Sequence, residues 1–70
     1  MSILKISLAA ARVNAGLSQR KAAKLLGVTP GTLRNYERGK QVPSWTTVKK
    51  MEKIYGISAD NLIIGSKPAR

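Results

Sequence analysis

Two signals that belong at opposite ends of helices stand two residues apart in the segment Leu25-Leu26-Gly27-Val28-Thr29-Pro30-Gly31. Gly27 is a left-handed helix stop, because glycine reaches positive φ without a Cβ penalty. Thr29 is a helix N-cap, and Pro30 then takes the first helical position, where its missing N–H costs nothing. A helix ending at Leu26 and another starting at Pro30 leave a turn of only about three residues, so the two must cross at an angle with side chains wedged between them.

The same punctuation divides the rest of the chain. Ser18 caps the helix Gln19 to Leu26, with Leu17 as its hydrophobic staple. Ser7 caps an earlier helix running to about Ala15 and stopped by Gly16. The helix from Pro30 continues through Leu33 and Tyr36 to Arg38, before Gly39. Ser44 caps a fourth helix to about Tyr55, along which Val48, Met51 and Tyr55 share one face. Gly56 closes it, and Ser58 is expected to cap a short fifth helix carrying Leu62, Ile63 and Ile64. The organisation predicted is an extended arm over 1–6, one compact all-α domain of five helices over 7–64, and a disordered basic tail over 65–70. A chain of 70 residues has little surface left over for a second core.

Composition narrows the chemistry. The only aromatics are Tyr36, Trp45 and Tyr55, so the core is expected to be aliphatic. With no Cys and no His, disulfides, thiolate or imidazole metal ligands and Cys or His catalysis are all removed, which fits a reducing cytoplasm. No signal peptide or membrane span is present in the sequence. Thirteen Lys and Arg face only Glu37, Glu52 and Asp60, a formal net charge of +10 that calls for a polyanion. Charge alone leaves DNA, RNA and an anionic membrane open. An enzyme is not expected, because the three acids are far apart in sequence and no phosphate-binding glycine loop or metal-ligand cluster exists. A membrane-surface helix would need a wider apolar face, and a single-strand RNA reader an exposed aromatic platform. No cofactor and no small-molecule ligand is expected.

An angled pair of helices over 19–38 needs a small residue at the crossing, a turn residue tolerant of positive φ and apolar residues that lock the angle. Ala23 suits the first and Gly27 the second, while Leu26, Val28, Leu33 and Tyr36 can fill the wedge. With those residues in place, LSQRKAAKLLGVTPGTLRNYERGK resembles the Cro-and-repressor (Xre-like) helix-turn-helix family. The lead-in AARVNAG, the following VPSWTTVKKMEKIYGIS and the closing ADNLIIG are similar to the family's first, fourth and fifth helices.

The resemblance implies a lambda-repressor-like domain whose third helix enters the major groove of double-stranded DNA while the second lies across the backbone. Gln19 matches a position that anchors a phosphate, helped by the helix N-terminus. Thr29, Thr32, Arg34 and Asn35 match positions that reach phosphates or base edges. Side-chain chemistry favours Thr32 and Asn35 as base readers, with Arg34 equally able to bond guanine or a phosphate. Pro30 and Gly31 stand where relatives carry long polar readers and offer no side-chain donor. Lys40 matches a phosphate-contacting loop position that Gln41 can assist through its backbone. Arg20, Lys21 and Lys24 read equally as backbone contacts and as a solvated face. Arg12 and Glu37 match a partly buried bridge between the first and third helices, and Arg12 can also face a phosphate.

One recognition helix covers few base pairs, so a homodimer on a palindromic operator, with half-sites about 34 Å apart, is the expected assembly. Ile54, Leu62, Ile63 and Ile64 are candidates for the dimer contact and equally for closing the core. Trp45 is expected to pack over the loop before the fourth helix, with support of the dimer or a place facing DNA as its alternatives. The apolar run ending at Ile64 suggests a complete domain, like a Cro-like protein or a minimal repressor. The competing reading is an antitoxin or anti-repressor module that uses the same fold to bind a protein.

Overall fold

The computed structural model describes residues 5–65. Four α-helices follow a short strand: β1 is Ile6–Ser7, α1 Leu8–Asn14, α2 Gln19–Leu26, α3 Pro30–Glu37 and α4 Trp45–Tyr55. A single 3-10 turn, Ala59–Asn61, then leads into a second strand, β2, at Leu62–Ile63. Each α-helix starts on a hydroxyl cap that satisfies an amide three residues on, one of the donors a helix start leaves orphaned. Ser7 accepts from Ala10 at 3.0 Å, Ser18 from Lys21 at 3.1 Å, Thr29 from Thr32 at 3.1 Å and Ser44 from Thr47 at 3.2 Å.

The core is built from one face of every helix: Leu8 and Ala11 of α1, Ala22, Ala23 and Leu26 of α2, Leu33 and Tyr36 of α3, and Met51 and Tyr55 of α4. Leu8, Leu33 and Met51 are its largest fully enclosed side chains. Burying each stabilises the fold by roughly 1.5–3 kcal/mol before the entropy of ordering is subtracted. The two alanines of α2 are wholly inaccessible, and their small size lets α3 and α4 both approach that helix.

The expected fifth helix is not formed. Ser58 does cap a turn, accepting from the Asp60 amide at 3.2 Å, but only three residues follow in helical geometry. Leu62 and Ile63 are instead extended and pair in parallel with β1, Ile6 opposite Leu62 and Ser7 opposite Ile63. A run of three apolar residues carries no period, so it reads as a helix end or a strand with equal ease. The decision came from β1, which offers backbone partners, and from the β-branched isoleucines, which suit extended backbone. Ile6, in the segment expected as an extended arm, is extended, half-buried and tied to the body. The rest of that arm up to residue 4, and the tail from residue 66, lie outside the described residues.

Glu52 of α4 secures this chain end. Its Oε2 accepts from the Ala59 amide at 2.6 Å, and Lys49 Nζ sits 3.3 Å from Oε1. The amide hydrogen bond first, then Lys49, holds the Glu52 carboxyl below its ordinary range.

Tyr55 closes α4 with its ring in the core and its hydroxyl enclosed without a hydrogen-bond partner among the described residues. Burial, reinforced by the nearby Glu37 carboxylate and partly offset by Arg12, pushes its phenol up to about 12. A raised folded value means that the stabilisation is complete below pH about 10 and is lost as pH climbs towards about 12, at about 1.4 kcal/mol per unit. Tyr55→Phe removes a buried, unsatisfied group, so it is expected to match or exceed the parent's stability at pH 7, by up to about 1 kcal/mol. Its advantage should widen above pH 10 in parallel thermal melts. A Phe variant that melts lower at pH 7 would mean that the hydroxyl is bonded.

Candidate nucleic-acid interface

Helix α2 ends where Gly27 swings the chain aside at φ 78°, and Thr29 restarts it two residues later. Between the helices, Ala23, Leu26 and Leu33 are buried, Tyr36 is 9% exposed, and Val28 packs half-buried against them. This wedge fixes α3 by its inner face and leaves the opposite face, with the turn at its start and the loop at its end, uncovered.

The uncovered face is polar. Thr29, Pro30, Gly31 and Arg34 are exposed, and Thr32 and Asn35 are partly so. The Thr29 hydroxyl accepts from the Thr32 amide and donates to Thr32 Oγ1 at 3.0 Å, holding both threonines in set rotamers. Asn35 is held from the far side of the loop, its Nδ2 donating to Gln41 Oε1 at 3.2 Å. Its main-chain carbonyl accepts from the amides of Lys40, at 2.9 Å, and Gln41, at 3.3 Å. Asn35 thereby keeps Oδ1 and a second N–H free, the acceptor and donor that the N6 and N7 edge of adenine requires. Gln41, expected to assist through its backbone, acts here also through its side chain; the six-residue separation of the two amide side chains across a glycine turn is the sequence signal for that pairing.

Behind the face lies a bridge between α1 and α3. Arg12 Nε donates to Glu37 Oε2 at 2.7 Å and Arg12 Nη2 to Oε1 at 3.4 Å, with side chains only 13% and 6% exposed. Arg12 Nη1 also donates to the Leu17 carbonyl at 2.9 Å. Gln19, at the start of α2, adds a third tie by donating from Nε2 to Glu37 Oε1 at 2.9 Å. One carboxylate thus joins three helices. Gln19 retains an amide N–H and its Oε1, whereas Arg12 has a donor on each of its three nitrogens committed inside the protein.

This bridge shapes the charge distribution. Among the described residues Arg12 is the one cation drawn inside, whereas Arg20, Lys21, Lys24, Arg34, Arg38 and Lys40 all stand exposed on α2, α3 and the following loop. Glu37 is turned inward and paired with Arg12, and Glu52 stands on α4 beside Lys49. The uncovered face of α3 therefore carries no negative charge.

Of the candidate dimer residues, Leu62 is 4% exposed and belongs to the core, and Ile54 and Ile64 pack half-buried against it. Ile63 is 39% exposed. Trp45 does not pack over the loop as expected: it is 66% exposed, with Lys49 Nζ 5.6 Å from its ring centre. Lys49 lies one helical turn beyond Trp45 on α4, which brings the ammonium over the exposed ring. No helix of the described residues is long and apolar enough to cross a membrane.

Two helices crossing at a glycine turn, with the second presenting an ordered polar face, define a helix-turn-helix domain. The chain belongs to the helix-turn-helix family, whose model it matches over residues 8–62. It is 43% identical over 47 residues to the HTH-type transcriptional regulator PuuR of Escherichia coli, a match covering 67% of this chain and 25% of that protein. It is 38% identical over 53 residues to the HTH-type transcriptional regulator ImmR of Bacillus subtilis, covering 76% and 42%. A third relative, the cryptic phage CTXphi transcriptional repressor RstR of Vibrio cholerae, is 38% identical over 56 residues, covering 80% and 50%. The matched region is thus half or less of each of these relatives. No solved structure matches the chain at comparable significance.

Proposed function

We propose that this chain is a sequence-specific, double-stranded DNA-binding transcriptional regulator that sets α3 in the major groove and works as a homodimer on a palindromic operator. The observation that carries this reading is the uncovered polar face of α3, where Thr32, Arg34 and Asn35 stand amid exposed cations. Thr32 and Asn35 read base edges, and Arg34 reads guanine or a phosphate. Gln19, Thr29, Lys40, Arg20 and Lys21 hold the backbone and set the register. Arg12 serves this interface chiefly by fixing α3 through Glu37, with its two remaining N–H groups available to a phosphate. The names of the regulators and the repressor it resembles support the same activity.

The test is selection of bound duplexes from a random pool by the purified protein at near-physiological salt. A two-fold symmetric motif with half-sites about one helical turn apart is the expected result. Recovery of no motif, with binding that disappears as salt rises, would favour a module that binds another protein. Within the selected site, Asn35→Ala is expected to relax discrimination at one base pair, adenine in the parent's motif, by about 1–3 kcal/mol or roughly 5- to 150-fold. Gel-shift titration against single-base variants measures this; an unchanged preference at every position would remove Asn35 from the reading set.

A further inference from the structure

Deepening that reading and resting on it, we propose that Gln41 is a positioning residue for sequence recognition: its side-chain carbonyl fixes the Asn35 amide in the one orientation that reads adenine.

Asn35 is the one amide side chain on α3, and neither Pro30 nor Gly31 at the helix start offers a side-chain donor. Amide reading of an adenine edge therefore falls on a single short side chain. A free Asn amide turns about its last torsion between two orientations that exchange Oδ1 and Nδ2. One of them meets the N6 donor and N7 acceptor of adenine. The other presents its N–H where guanine O6 accepts, so a freely turning amide discriminates less. Here Nδ2 donates to Gln41 Oε1 at 3.2 Å. Turning the Asn35 amide over would lose that bond and set two carbonyl oxygens against each other, since neither of them can donate.

The backbone brings Gln41 to this place. Gly39 turns the chain at φ 77°, and the amides of Lys40 and Gln41 close on the Asn35 carbonyl at 2.9 and 3.3 Å. The carbonyl and the side chain of one residue are thus both tied to the loop, and Lys40, a proposed phosphate contact, is held in the same unit. In the free protein the side-chain pair is exposed and water competes for it. On DNA, water leaves the groove, and an Nδ2–H without its acceptor becomes a buried, unsatisfied donor. Gln41 therefore matters more to recognition than to stability.

Two substitutions separate the acceptor from the rest of the side chain. Gln41→Met keeps the length and removes the acceptor, whereas Gln41→Glu keeps an acceptor oxygen and adds a charge. Against the selected motif and its variants at the Asn35 base pair, Q41M is expected to lower the preference for adenine about 2- to 10-fold. Q41E is expected to weaken binding to every duplex, because a carboxylate faces phosphates, yet to keep the parent's preference at that pair. N35A/Q41M is expected to equal Asn35→Ala there, since Gln41 acts through Asn35. A parent-like preference in Q41M, a Q41E as relaxed as Q41M, or a further loss in the double variant each overturns the proposal. Gln41 is exposed and outside the core, so these variants fold. A second readout needs no DNA. In the isotope-labelled parent, one Asn35 side-chain amide proton is expected downfield of its position in Q41M, and coincident positions overturn the proposal. A random pool that yields no motif would sink the proposed function, while the amide signals would still decide whether Gln41 holds Asn35.

Discussion

Glu37→Ala is expected to lower stability by about 3–5 kcal/mol, the cost of leaving one charge of a buried pair without its partner. The parent carboxylate is 6% exposed and accepts from Arg12 and Gln19 at once, so its loss strands a guanidinium that is itself only 13% exposed. The Leu17 carbonyl is then the one acceptor left to Arg12 among the described residues. For a domain of this size each kcal/mol moves the midpoint by roughly 4–8 °C, so the fall should be obvious in a thermal melt. It is also a large part of the roughly 5–15 kcal/mol that holds a small domain folded. DNA binding should fail at temperatures where the variant is unfolded and persist where it is folded. Replacing both partners, Arg12→Met with Glu37→Leu, should recover much of the loss because no unpaired charge is left behind. A Glu37→Ala midpoint within a few degrees of the parent would show that the bridge does not hold α3 in place.

Raising salt from about 50 to about 200 mM is expected to weaken DNA binding by roughly 300- to 1000-fold per subunit. The figure follows from counterion release: four to six neutralised phosphates give a slope of about −4 to −5 in log affinity against log salt. Arg20, Lys21, Arg34 and Lys40 supply four exposed cations on or beside the proposed interface, with Lys24 and Arg38 in reserve. Titration at five or six salt concentrations measures the slope. Lys40→Ala should flatten it by about one while weakening all sequences alike, since a phosphate contact carries no base information. A parent slope shallower than about −2 would mean that the charge is spread over faces that never touch DNA.

Sequence alone determined where the helices of the functional pair begin and end. Ser18, Gly27, Thr29 and Pro30 act through hydrogen bonds and φ angles spanning at most three residues, so their effect is readable locally. The bridge residues Arg12 and Glu37 were legible for a different reason: they were matched by resemblance, not by local chemistry. Tertiary structure alone decided the rest. Leu62 and Ile63 became a strand because Ile6 and Ser7, 56 residues earlier, lie alongside them. Glu52 found the Ala59 amide across a helix end, and Asn35 found Gln41 across a glycine turn. Burial sent Leu62 inward and left Val42, Trp45 and Ile63 outside, a sorting that no run of apolar letters contains. The physical reason is common to all of these: a cap or a stop is satisfied by its own neighbours, whereas a strand edge, a side-chain pair or an exposed ridge is defined by what distant chain comes to rest beside it.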